Sequence, residues 1–127
     1  MPAYNFMPRF AVLVETGAKT QTIRKTDRRA KPGDIAFLYT GQRTKHCRLL
    51  GKGVIKHVQP VELGRRRNGL PYARLPMPKG QVFELMTDSL DALARADGFA
   101  DGDKMVRWFD SKYGLPFHGV VHAWTLL

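Results

Sequence analysis

The order of elements legible in the chain predicts an α+β fold built on a small β-barrel flanked by helices. Three observations predict it. Strand-like segments outnumber helical ones, helical periodicity is confined to two places, and glycines interrupt the strand-like runs where a small barrel would turn its corners.

Residues 4–7 are aromatic and apolar and read as a short strand. Pro8 suits the first position of a helix, Phe10, Val12, Leu13 and Val14 give it an apolar face, and Gly17 suits its end. Residues 20–24 alternate as a strand does. Lys31-Pro32-Gly33-Asp34 has the Pro-Gly order of a type II turn, and residues 35–39 follow as a strand. After a connection at 41–45, residues 47–50 and 53–58 read as strand material broken by Gly51 and Gly53. Residues 60–80 are dense in proline and glycine and predict a long loop or loose hairpin. A strand at 81–86 precedes a helix capped by Thr87 or Asp88 that carries Leu90, Leu93 and Ala94 and stops at Gly98. Asp101 or Asp103 caps a further helix with Met105, Val106, Trp108 and Phe109. Beyond Gly114 and Pro116, residues 117–127 form a last strand with Val120, His122 and Trp124 on one face.

The length, 127 residues, suits one domain over the whole chain, long enough to bury a core without disulfides or metal. No apolar run approaches the roughly 20 residues of a membrane span, so a soluble protein with no membrane partner is expected. The start of the chain has no signal-like pattern, and the single cysteine, Cys47, has no internal partner; both suit a reducing, cytoplasmic setting. Cys47 reads as a small core residue or an inert thiol. One cysteine and four scattered histidines exclude a thiolate zinc site, and no metal or other cofactor is expected. Asp97, Asp101 and Asp103 do not match a calcium loop and read as caps and turns.

The net charge is +10, and 17 of the 21 basic residues lie in residues 1–80, which carry only four acidic ones. The basic residues cluster at 25–31, 43–48 and Arg65-Arg66-Arg67. So lopsided a surface attracts polyphosphates, which makes RNA a candidate partner and Arg65, Arg66 and Arg67 candidate contacts. Tyr39, Tyr72 and Phe99 are candidates for stacking on a base, whereas Trp108 and Phe109 read as core.

The sharpest local pattern is Gly-Ala-Lys-Thr-Gln-Thr-Ile-Arg at 17–24. A threonine hydroxyl is a poor nucleophile until a neighbour takes its proton, and lysine is an accepted partner for that task. Thr22 and Lys19, three residues apart, have that chemistry. Alone, such a pattern is more often structural. Strand alternation also puts Thr22 and Arg24 on one face and Lys19 on the other, unless the turn at Gly17 redirects the lysine.

Taken together, these residues resemble the ASCH domain, a branch of the PUA-like superfamily. The resemblance covers nearly the whole chain: Phe6 and Phe10, the 17–24 motif, Lys31-Pro32-Gly33-Asp34 before a strand, Ala96-Asp97-Gly98-Phe99, and Tyr113-Gly114 before the last strand. Many ASCH domains have glutamate where this chain has Thr22. The threonine form is similar to small bacterial amidohydrolases that remove the acyl group from N4-acetylcytidine, whose catalytic set is a lysine, a threonine and a later glutamate. The resemblance therefore implies Lys19 and Thr22 as catalytic, with Asp97 replacing the glutamate and Glu84 as the fallback acid. It implies a modified cytosine nucleoside as substrate, bound by Arg24, Phe6, Tyr39 and Phe99. An RNA-binding ASCH or PUA-like module without catalysis, and an RNA-cleaving member of the family, are the alternatives.

Overall fold

A computed structural model describes residues 2–127, an α+β arrangement of seven strands in one mixed sheet and three helices. Strand β1 (Ala3–Phe6) leads into α1 (Pro8–Thr16), then β2 (Gln21–Arg24), β3 (Ile35–Thr40) and the 18-residue β4 (Arg48–Arg65). Strands β5 (Pro71–Pro76) and β6 (Val82–Leu85) follow. The chain ends with α2 (Asp88–Ala96), α3 (Gly102–Tyr113) and β7 (Phe117–Leu126).

Helix α1 starts with proline in its first turn and buries Phe10, Ala11 and Val14, the one-sided spacing that lays a helix on a core. It stops at Gly17, whose left-handed backbone (φ 82°) lets its N–H return to the carbonyl of Val14 at 3.2 Å. Asp101 caps α3 by accepting the N–H of Lys104 at 2.8 Å, and Asp91 ties α2 to the same helix start through the N–H of Gly102. Lys31 to Asp34 forms the expected turn, closed by the Asp34 N–H to the Lys31 carbonyl at 3.0 Å.

Three expectations are corrected in whole or in part. Gly51 and Gly53 do not divide the fourth strand, since β4 runs unbroken from Arg48 to Arg65, but the irregularity they suggest is present: the register with β3 shifts at Leu50, beside Gly51, and that with β7 shifts between Ile55 and His57. Of the two readings of 60–80, the hairpin is the one formed: the last residues of β4 pair with β5, turning at 66–70 through the Arg66 N–H to Leu70 and the Gly69 N–H to Arg66. Pro60 is tolerated because one edge of β4 is unpaired there, between the stretches that pair with β3 and β5. Cys47 is exposed, not a core residue.

Strand β4 carries β3 and then β5 on one edge and β7 on the other. Beyond them lie β1, parallel to β3 through a crossover that contains α1, and β2, antiparallel to β7. The path β1-β3-β4-β7-β2 ends in two strands with one paired neighbour each, so backbone pairing leaves the sheet open instead of closing the barrel. Side chains span that opening. Arg24 of β2 donates through Nη2 to the carbonyl of Asn5 on β1 at 3.0 Å, and the Tyr4 hydroxyl of β1 meets Nδ1 of His122 on β7 at 2.7 Å. One apolar cluster lies beneath, including Tyr4, Phe10, Val14, Leu38, Ile55, Leu63, Met105 and Trp124. No described helix is long and apolar enough to cross a membrane.

Candidate active site

The opening between β1 and β2 is a cavity of about 240 Å³, small beside pockets for drug-sized ligands at roughly 300–1,000 Å³ and suited to one small planar group. Lys19, Thr22, Arg24 and Asp97 line it with Phe6 and Phe99. The expected conflict of strand faces does not arise, because Lys19 precedes β2. The Gly17 cap turns the chain so that the Lys19 N–H bonds the carbonyl of Leu13 at 2.9 Å. Thr20 then docks between the end of α2, through its N–H to Ala96, and β7, through its carbonyl to Trp124. The lysine side chain thereby enters the cleft that Thr22 also lines.

Asp97 follows the last turn of α2. Its backbone carbonyl accepts a short hydrogen bond from Lys19 Nζ, and its carboxylate lies 3.6 Å from the same nitrogen. Gln21 Nε2 donates to the other carboxylate oxygen at 3.4 Å and to the Leu93 carbonyl at 3.3 Å. Gly98 makes the approach possible: at φ 94° a side chain would be strained, and a Cβ there would stand 3.0 Å from Phe10 and 3.1 Å from Lys19 Cδ. The Asp-Gly-Phe triplet thus supplies an acid, room for the lysine, and Phe99 as a wall.

Lys19 is 2% exposed and Asp97 3%. Burial penalises charge on both, lowering the proton affinity of Lys19 and raising the pKa of Asp97 to about 6. Each opposes the other's shift, since each charge steadies its partner. Lys19 Nζ also lies 5.0 Å from the Phe10 ring centroid and 5.6 Å from that of Phe6, which compensates an ammonium in part. The site therefore holds an amine that releases its proton more readily than an exposed lysine.

Thr22 and Arg24 share a strand face, and Arg24 Nε donates to Thr22 Oγ1 at 2.9 Å. A hydroxyl oxygen has two lone pairs, so this bond leaves one for a carbonyl carbon and leaves the O–H proton for a base. The fixed guanidinium would stabilise negative charge as it develops. Arg24 stands over the rings of Tyr4 and Phe6 at 5.6 and 5.3 Å. Beneath it, Nε2 of His122 carries a proton, because the Thr26 carbonyl 2.9 Å away can only accept, and Nδ1 meets the Tyr4 hydroxyl. Burial, then Arg24 and Arg28, lower the His122 pKa against the bond to Thr26.

Other expected residues fall elsewhere. Tyr39 lies on β3 outside the cleft lining. Glu84, the fallback acid, is on β6, paired with Arg66 and 3.7 Å from Arg74 Nε, and does not reach Lys19. Arg65 bonds Asp103 at 2.8 Å, Arg66 bonds Glu84, and Arg67 is exposed, so two of the three arginines are already neutralised. Tyr72 is buried with its hydroxyl on Glu62 at 2.7 Å. Trp108 packs against the core as expected and, with Lys112 and Tyr113, also lines the cleft. Of the residues not expected at the site, Gln21 sits inside the 17–24 motif, Tyr113 stands out only with Gly114 as the pair before the last strand, and Lys112 carries no local signal beyond the end of α3. Among the described residues no group of three or more His, Cys, Asp or Glu could hold a metal ion. Comparison with known proteins returned no matching family model, curated protein or solved structure.

Proposed function

We propose that this chain is an amidohydrolase that removes the acyl group from N4-acylated cytosine nucleosides, as an ASCH-type member of the PUA-like superfamily. The observation that carries the reading is the convergence of Lys19, Thr22 and Asp97 in one small cleft, with Arg24 on the threonine oxygen. The family reading includes its barrel. The curved path β1-β3-β4-β7-β2, with side chains across the gap, is what supports it.

The cytosine ring enters against Phe6 and Phe99. Once Lys19 has released its proton, which burial eases, its amine accepts the Thr22 proton as Oγ1 attacks the amide carbonyl, and Arg24 stabilises the resulting oxyanion. Asp97 steadies the ammonium so formed. Lys19 then returns its proton to N4 as the C–N bond breaks, which releases the free amine of cytidine and leaves the acyl group on Thr22. Water attacks that ester with the same base, giving a carboxylic acid and restoring the hydroxyl.

The test is cytidine release from N4-acetylcytidine by the wild type, Lys19→Ala and Thr22→Ala. The wild type releases cytidine, and each variant loses at least about 10²–10⁴-fold in turnover. No release by the wild type overturns the reading. An RNA-binding module without chemistry is the second reading, favoured by the basic charge of residues 1–80, although the pairing of Arg65 and Arg66 weighs against that triplet as its surface. Salt-dependent retention of RNA without cytidine release or strand scission would select it, and scission would select the RNA-cleaving alternative.

A further inference from the structure

Two groups stand out among the basic side chains. Arg48, Arg65, Arg66, Arg74 and Arg107 each meet a carboxylate within 4.0 Å. Arg9, Arg24, Lys25 and Lys112 meet none among the described residues, yet all four stand over aromatic rings that line the cleft. Lys25 Nζ lies 4.7 Å from the Tyr113 centroid, and Lys112 Nζ lies 5.8 Å from the same ring and 4.8 Å from Trp108. Arg9 stands 4.7 Å from Phe10 and 5.6 Å from Phe99. Lys25 and Lys112 thus come from two elements, the end of β2 and the end of α3, to one ring at the rim.

An amine held over a ring face keeps its N–H donors toward solvent while the ring limits its wandering. Two such amines on one ring make a prepared site for a compact dianion. We infer that the Lys25–Tyr113–Lys112 rim binds a phosphate group on the ribose, so that the substrate is an N4-acylated cytidine nucleotide and not the free nucleoside. The inference rests on the proposed function for the base and on the rim alone for the phosphate. One effect opposes it: the C-terminus of α3 at Tyr113 presents about half a negative charge. That is outweighed by two full positive charges. Salt would weaken the attraction, since the rim is exposed and the screening length falls from about 8 Å at physiological ionic strength to about 3 Å at 1 M.

The experiment compares kcat/KM for N4-acetylcytidine and N4-acetylcytidine 5′-monophosphate at low and high salt, in the wild type and in the Lys25→Ala/Lys112→Ala variant. The expected preference for the monophosphate is about tenfold or more, collapsing toward parity in the double variant and at about 1 M salt. Lys56→Ala, an exposed lysine of β4, keeps the preference and controls for net charge. Parity in the wild type, or a preference the double variant retains, overturns the inference. A thermal melt establishes that the double variant is folded, and Lys112→Gln alone, which halves the charge on the ring, serves if it is not.

A binding arm separates failure of this inference from failure of the proposed function. Calorimetry with cytidine and cytidine 5′-monophosphate needs no turnover: tighter, salt-sensitive binding of the monophosphate that the double variant loses upholds the rim, and equal binding overturns it. An oligoribonucleotide with a single N4-acetylcytidine then tells the source of the phosphate. Faster deacylation than for the monophosphate assigns it to a polymer, and slower deacylation assigns it to the free nucleotide.

Discussion

The cleft and the β4–β6 face use the same kinds of side chain to opposite ends. Around Glu62, Arg74 and Glu84 the charges are partly exposed and each has a partner, with Tyr72 and His118 also on Glu62. In the cleft one lysine and one aspartate are nearly sealed from water, and among the described residues Arg9, Arg24, Lys25 and Lys112 around them meet no carboxylate within 4.0 Å. Pairing in solvent holds Glu62 below its ordinary carboxylate pKa, chiefly through the Tyr72 hydroxyl, while burial pushes Asp97 up. The difference teaches where chemistry is available. A satisfied surface network has spent its protons and charges on itself, whereas a buried pair whose proton affinities burial shifts toward each other is placed to exchange a proton with a substrate.

Removing one member of each network gives the largest contrast. Asp97→Ala leaves the Lys19 charge buried without its partner and is expected to destabilise the fold by about 3–5 kcal/mol. Glu84→Ala, in the outer network, costs about 1 kcal/mol or less. Urea unfolding of both variants measures this, and equal costs would erase the distinction. Arg24→Lys comes next. The bond from Nε to Thr22 cannot be reproduced by an ammonium, and turnover falls about 10²–10³-fold if the guanidinium serves the oxyanion. A loss confined to KM would make Arg24 a binding residue only.

The dependence of stability on pH has opposite signs in the two regions. Unfolded Asp97 loses its proton near pH 4, while folded Asp97 keeps it to about 6. Between those values the folded state binds more protons, so this group makes stability fall as pH rises. Asp103, held low mainly by Arg65, does the reverse: its contribution is present above the unfolded carboxyl pKa and is lost as pH falls through the lower folded one. Unfolding across pH 2–7 should show Asp97→Asn removing a downward slope and Asp103→Asn an upward one.

What was legible in the chain follows the range of the interaction. Helix α1, the Lys31 to Asp34 turn and the Asp101 cap are set by neighbours within a few residues and stand where the pattern puts them. Thr22 beside Arg24 follows from strand alternation alone. The continuity of β4 was not legible, because Gly51, Gly53 and Pro60 punctuate locally while pairing with β3, β5 and β7 carries the strand through. Nor was the neutralisation of Arg65 and Arg66, whose partners Asp103 and Glu84 are supplied by other elements. Lys112 and Tyr113 reach the cleft only because α3 is anchored across the core through Met105, Val106 and Phe109.

In the proposed reaction Thr22 is the group that takes the acyl chain. Protein in excess over N4-acetylcytidine, quenched in acid within a single turnover and analysed by peptide mass spectrometry, should carry one acyl group on the peptide containing Thr22, and Thr22→Ala should carry none and release no cytidine. Cytidine release by Thr22→Ala at the wild-type rate, with no acylated peptide in either protein, would contradict it.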